Sequence, residues 1–174
     1  MGFQAAVKTD PAIGIPGQEV NPRQAVYTAF NFVSDGTVPA DSGTGGSAPI
    51  PASWVSQTEQ NVLSAKAEAG AKPVGFVERD VIATIPAPTD DATQVYPKGT
   101  CPPVAIRGQF YAIATGAATE GQSVLCDPTT GKVTYGTAGA TNATGWTVVF
   151  PRGVKTIAEG DTVIYQNFGV DKAA

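Results

Sequence analysis

Residues 123–135 read SVLC-DPTTG-KVTY, two short β-prone runs on either side of a five-residue turn. Proline at Pro128 favours the start of a turn, and glycine at Gly131 permits the backbone angles that return the chain to a strand. The stretch therefore predicts a β-hairpin. Short runs of the same kind recur from Lys72 onward, separated by glycine or proline. The sequence predicts an all-β protein: a small sandwich or barrel of short antiparallel strands with an extended N-terminal arm.

Composition agrees with this fold class. Valine and isoleucine together number 28, whereas leucine and methionine together number three. Side chains branched at Cβ favour strands, and leucine is the usual filler between helices. With 20 glycines and 14 prolines in 174 residues, the chain has the composition of a turn-rich β domain with an arm.

Several classes of function are disfavoured by the residues that are scarce. The chain has no histidine, which removes imidazole bases and histidine metal ligands. Its net charge of −4, with scattered lysines and arginines, argues against nucleic acid as a partner. Residues 133–151, the longest uncharged stretch, are interrupted by polar residues and glycine and would span a membrane poorly. The first eight residues lack the pattern of a secretion signal, so we expect synthesis in the cytoplasm.

Three parts follow one another along the chain. Residues 1–25 form the proline- and glycine-rich arm, which has little to bury by itself and must lie on something else. Residues 26–71 comprise a strand, a Gly/Ser-rich loop and a connection. Residues 72–174 form the sandwich or barrel domain.

Individual strands are assigned from alternation of side chains. Residues 26–33 are predicted as one strand, with Val26, Thr28, Phe30 and Phe32 on one face. Residues 57–69 permit a short helix or a strand, and the β-rich context favours the strand. Further strands are predicted in residues 74–85, 104–108, 109–114, 123–126, 132–135, 146–150 and 162–168.

No motif predicts catalysis. Asp90 and Asp91 are adjacent, but neighbours on an extended chain point in opposite directions and do not share one site. Cys101 and Cys126 have no CxxC partner, and two free thiols are favoured over a disulfide. We therefore predict no enzymatic activity, no catalytic residues, no cofactor and no metal. Trp54, Tyr111 and Trp146 could stack on sugars, which leaves open an alternative, a carbohydrate-binding module.

Several motifs, in order, resemble the cement (head decoration) proteins of tailed bacteriophages. The N-terminal segment PAIGIPG at 11–17 precedes Asn21-Pro22-Arg23. The motifs that follow are VGFV at 74–77, PVAIRGQFYA at 103–112, EGQSV at 120–124 and GDTVIY at 160–165. The similarity covers the first 23 residues and residues 72–169.

The resemblance implies a structural role in the virion. The alternative then becomes a carbohydrate-binding or head-fibre base module of the virion surface. Members of the family bind the outer surface of the capsid at junctions between capsomers, so the implied partners are the major capsid protein and other copies of the chain in a homodimer or homotrimer. The arm is the implied clamp. The residues that we expect to contact the capsid are Phe3, Ile13, Ile15, Pro16, Val20, Asn21, Pro22 and Arg23.

Overall fold

The computed structural model describes residues 14–21, 24–28, 32–36, 53–59, 61–79, 96, 98–140 and 142–168. Within these ranges the chain forms ten strands and no helix, which confirms the all-β prediction. The strands are β1 (Val26–Tyr27), β2 (Val33–Ser34), β3 (Trp54–Glu59), β4 (Val62–Ser64), β5 (Pro73–Val77), β6 (Val104–Ile113), β7 (Ser123–Cys126), β8 (Val133–Gly136), β9 (Ala143–Val149) and β10 (Thr162–Asn167).

The strands form one mixed sheet in the order β2-β4-β3-β5-β6-β10-β9-β7-β8, and β1 adds a third partner to β6. The named pairs are antiparallel apart from β2 with β4, which are parallel. In this order the terminal strands β2 and β8 each have one neighbour, so the sheet is not closed into a barrel.

Strand β6 connects the two halves of the sheet. The first half is β2-β4-β3-β5 and the second half is β10-β9-β7-β8. Its first residues pair with β1 and β5, and its last six pair with β10. The sequence analysis predicted two separate runs, 104–108 and 109–114, and this division is wrong because the strand continues through Gly108. That glycine has φ of 135°, and a Cβ built there would lie 3.0 Å from the Phe110 ring and 3.1 Å from Ala25. Glycine thus lets one strand pass a crowded position between the two halves.

An aromatic cluster fills the space between the halves. Trp54 on β3 and Trp146 on β9 lie edge to face with centroids 5.4 Å apart, although β5, β6 and β10 separate their strands in the sheet. The sheet must therefore bend over on itself to bring them together. Phe76 packs against Phe110 at 5.4 Å and against Tyr165 at 6.0 Å. Such aromatic pairs stabilise a core beyond the area that they bury.

Two segments of the first half differ from or refine the sequence prediction. The single strand predicted for residues 26–33 is instead seen as β1, which pairs with β6, and β2, which pairs with β4. Its predicted common face is also wrong, since Val26 is 47% exposed and Phe32 is buried. Phe30 lies outside the described residues. For residues 57–69 the strand alternative is confirmed in part: β3 and β4 form a hairpin with a left-handed residue, Asn61, at the turn.

The hairpin at residues 123–135 is confirmed as β7 and β8, with Cys126 opposite Val133. The Asp127 carboxylate accepts hydrogen bonds from the Thr129 backbone N–H at 2.9 Å and the Thr129 hydroxyl at 2.7 Å. These bonds hold the pKa of Asp127 below its usual value. Gly131 closes the turn with φ of 73° and donates its N–H to the Asp127 carbonyl.

Gly75 offers a test of how closely β5 and β6 pack. A Cβ at Gly75 would lie 2.6 Å from the Ala105 carbonyl oxygen and 2.6 Å from Val104 Cγ1. We expect Gly75→Ala to destabilise the fold by about 1–3 kcal/mol, because backbone on β6 would have to move. Gly116→Ala is the control, since a Cβ at Gly116 would meet no atom within 4 Å. Equal melting temperatures for the two variants would contradict this packing.

Both cysteines are free, Cys101 exposed and Cys126 buried, as the sequence favoured. Burial and the nearby Asp127 carboxylate raise the pKa of the Cys126 thiol to about 12, from an ordinary value of 9.0. Because the folded pKa is the higher one, this contribution to stability is complete below pH 9 and is lost as the pH rises towards 12.

The free energy of unfolding should accordingly fall by roughly 1.4 kcal/mol between pH 8 and pH 10 through this thiol alone. Chemical denaturation at both pH values measures the change. Cys126→Ala is expected to be less stable throughout but to show a smaller loss between the two pH values. An identical loss in wild type and Cys126→Ala would show that the thiol is not responsible.

A candidate partner-binding surface along strand β6

Large hydrophobic side chains are exposed in only one region of the described chain. They are Ile15, Val26, Tyr27, Ile113 and Phe168, each between 38% and 47% exposed. All five lie on or beside β6. Ile113 ends that strand, Val26 and Tyr27 form its partner β1, and Phe168 directly follows its partner β10. Ile15 belongs to residues 14–21, which pair with β6. Exposed apolar groups clustered around one strand are typical of an interaction surface.

Residues 14–21, which we call the strap, run antiparallel to the second half of β6. Glu19 is opposite Phe110, and the Val20 N–H donates to the Gln109 carbonyl at 2.8 Å. Tyr111 is bonded twice, since its carbonyl accepts from Gly17 at 2.7 Å and its N–H donates to the Gln18 carbonyl at 3.0 Å. The strap is therefore an additional strand-like partner of β6.

Gly14 brings the strap against an aromatic ring. A Cβ at this position would lie 2.4–2.5 Å from three carbon atoms of the Tyr111 ring, closer than any real Cβ contact. Only glycine allows the backbone to lie on this ring. The partly buried Tyr111 is thus covered on this side by the protein's own chain.

Two carboxylates hold the chain from the strap to the end of β1. The Glu19 carboxylate accepts hydrogen bonds from the backbone N–H groups of Gln24 at 2.9 Å and Ala25 at 2.8 Å. Partial burial of Tyr27 and, to a smaller extent, its hydrogen bond to the Glu78 carboxylate raise the pKa of this residue far above its usual value. The Tyr27 hydroxyl thus remains protonated and donates to Glu78. These contacts fix the exposed side chains of β1 relative to β6.

The outer face of β6 follows from strand alternation. Phe110 and Ala112 are buried in the core, and Arg107, Gln109, Tyr111 and Ile113 alternate with them. On this outer face the Gln109 amide donates to the Gln166 side-chain oxygen on β10 at 2.5 Å. Arg107 is exposed and opposite Val26. The exposed apolar side chains around β6 thus lie among exposed polar ones, which include Arg107, Gln18 and Asn21.

The described residues do not bring together a metal-binding cluster. No group of three or more cysteine, aspartate or glutamate side chains comes close enough to hold a metal ion in the described ranges.

A groove between the end of β3 and residues 66–71 has a volume of about 540 Å³, and Glu59, Lys66, Glu68 and three alanines contribute to its lining. Where the chain is described, no helix is long and apolar enough to cross a membrane.

Comparison with known protein families decides the identity of the chain. The model of the phage structural cement protein family (E217 gp24/Pam3 gp6) matches residues 3–167. The chain belongs to this family. The resemblance that the sequence motifs suggested is thereby confirmed, and it gives the cement protein a structural role in the virion. No individual curated protein matches the sequence.

The tryptophans of the carbohydrate-binding alternative do not form an exposed stacking surface. Trp54 and Trp146 are each 1% exposed and pack against each other in the core. Tyr111, the third residue of that alternative, lies under Gly14. Neither tryptophan is therefore available to stack on a sugar.

The predicted contact residues of the arm are distributed as follows. Ile15 and Asn21 are exposed, and Pro16 and Val20 are partly buried in the strap. Phe3, Ile13, Pro22 and Arg23 lie outside the described residues. The sequence analysis did not single out Val26, Tyr27, Ile113 or Phe168 as surface residues. Alternation along residues 109–113 could have separated Ile113 from Phe110, but it does not tell which of the two faces the core.

Replacing Gly14 should detach the strap locally. In Gly14→Ala the new methyl group would overlap the Tyr111 ring, so the strap would have to move away. We expect the Gly17 and Tyr111 amide protons to exchange with solvent at least tenfold faster than in wild type, because both donate to bonds that hold the strap.

Amide exchange measured by NMR provides the test, with Gly116→Ala as the control for adding a methyl group to an open position. Amides of β7 and β8 should be unaffected in both variants. Unchanged exchange at Gly17 and Tyr111 in Gly14→Ala would contradict the close approach of the strap to the ring.

Proposed function

We propose that this cement protein binds the outer surface of the phage capsid at junctions between capsomers and stabilises the shell. Its partners are the major capsid protein and further copies of itself in a homodimer or homotrimer, with no contact to nucleic acid or membrane. The protein is made in the host cytoplasm and acts on the assembled virion. Membership of the family supports the structural role, and the exposed apolar residues around β6 support the contact region.

One observation supports this contact region. Among the described residues, large apolar side chains are exposed only on β6 and beside it. Burying apolar surface contributes about 25 cal/mol per Å² removed from water. Ile15 and Ile113, at 47% and 44% exposure, have enough surface left for such a gain on binding. The strap and β6 carry them on hydrogen-bonded backbone, so little conformational entropy is lost when they are covered.

Many copies of a modest contact suffice to stabilise a shell. A standard protein interface buries about 1,600 Å² in total, and its strength depends on a few well-packed side chains. An oligomer that contacts several capsid subunits at once gains affinity through its effective concentration at the second site. A cement protein therefore needs no chemistry beyond shape and apolar complementarity.

Co-sedimentation with undecorated capsids of the same virus tests the proposal. Wild type should bind saturably, at a fixed copy number per shell, and should raise the melting temperature of the shell. The double variant Ile15→Asp/Ile113→Asp should bind at least tenfold more weakly, because two carboxylates would lose hydration in the interface.

Thr134→Asp serves as the matched control, since it places a carboxylate at an exposed position on β8, which is not a sheet neighbour of β6. All variants should keep the melting temperature of wild type within a few degrees. Absence of binding by wild type would exclude the capsid role. Equal binding by the double variant and wild type would exclude the proposed surface.

A further inference from the structure

We infer that the strap remains paired with β6 when the cement protein is bound to the shell, so that it acts as a fixed part of the binding surface. The family resemblance implied a different use, in which the extended arm clamps the capsid. This inference rests on the proposed function, because it concerns how the same surface contacts the capsid.

The backbone groups needed for strand addition to a neighbour are already occupied within the chain. The Gly17 N–H donates to Tyr111, and the Gly17 carbonyl accepts from the Arg79 N–H at 2.8 Å. The Gln18 carbonyl and the Val20 N–H are bonded to β6 as well. A strand that adds to another sheet does so through free N–H and C=O groups. The strap would first have to break these four bonds.

Gly17 lies between two parts of the sheet. On one side it bonds to β6, and on the other to Arg79, two residues beyond the end of β5. Gly17 itself is buried. Moving the strap outward would therefore expose backbone groups on both sides and uncover one face of the Tyr111 ring.

The strap is also held at both ends. At its start, Gly14 lies against Tyr111, and beyond its end the Glu19 carboxylate holds the N–H groups of Gln24 and Ala25. Ile15 is nevertheless 47% exposed in this docked position. Its side chain is thus presented to a partner without any release of the backbone.

It follows that the capsid surface contacted here recognises side chains and does not add a strand at this edge of β6. The contact partner is a surface with apolar groups that match Ile15 and Ile113. A rigid strap also makes the geometry of attachment the same in every copy, which a shell with repeated junctions requires.

A disulfide can lock the strap and test the inference. Val20 lies opposite Gln109 in the antiparallel pairing that aligns Glu19 with Phe110. Opposite residues of such a pair have Cα atoms about 4.5–5.5 Å apart, which is within the range that a disulfide bridges. The variant is Val20→Cys/Gln109→Cys with Cys101→Ser, so that the exposed native thiol cannot take part.

We expect the disulfide to form on mild oxidation of the free protein, and the oxidised and reduced forms to bind shells with affinities within twofold of each other. Two controls carry only Val20→Cys or only Gln109→Cys in the same Cys101→Ser background and are oxidised in the same way. They show the effect of the lost side-chain contacts alone, including the Gln109–Gln166 hydrogen bond. Mass spectrometry of a digest verifies the link.

A locked form that binds at least tenfold more weakly, with full recovery on reduction, would overturn the inference, because the strap would then have to leave β6. Failure of the disulfide to form would equally overturn it, since the docked pairing would not exist in solution. Wild type that does not bind shells would instead refute the proposed function, while formation of the disulfide would still report the docked strap.

Discussion

Strand β6 has hydrogen-bonded partners along both of its edges, and the two halves of the sheet are joined through it. Its first half pairs with β1 and β5, and its second half with β10 and the strap. The bend of the sheet that joins Trp54 to Trp146 requires these halves to be connected by one strand that tolerates crowding at Gly108. The same strand carries the exposed surface on one face and core residues such as Phe110 on the other. The fold and the proposed binding surface thus share one element.

How much of this could be predicted from sequence depends on the range of the interaction. The hairpin at residues 123–135 is local, since Asp127, Pro128 and Gly131 determine the turn within five residues, and it was predicted correctly. Gly108 was misinterpreted as a break, because a glycine in a strand pattern marks either a turn or a crowded position, and the crowding comes from Ala25, 83 residues away. The motifs of the family identified the function class, which neither composition nor spacing could have given.

The arm illustrates what sequence alone leaves undetermined. Proline and glycine spacing predicted an extended arm that must lie on something else, and residues 14–21 of it pair with β6. The backbone of such a segment offers the same hydrogen bonds to its own sheet and to that of a neighbour, so the pattern does not distinguish the two. Structure shows residues 14–21 on β6 of their own chain, with Gly14 fitted to Tyr111. The exposed residues Val26 and Phe168 were equally hidden from pattern analysis, since their exposure depends on which strands end beside them.

In the proposed binding mode, the surface along β6, with the strap docked, faces the shell. Cryo-electron microscopy of capsids decorated with wild-type protein, at a resolution that shows side chains, would reveal which surface is in contact. We expect Ile15 and Ile113 in van der Waals contact with capsid subunits and residues 17–20 still paired with residues 109–111. A map in which the β7–β8 hairpin faces the shell, or in which the strap pairs with another subunit, would refute this binding mode.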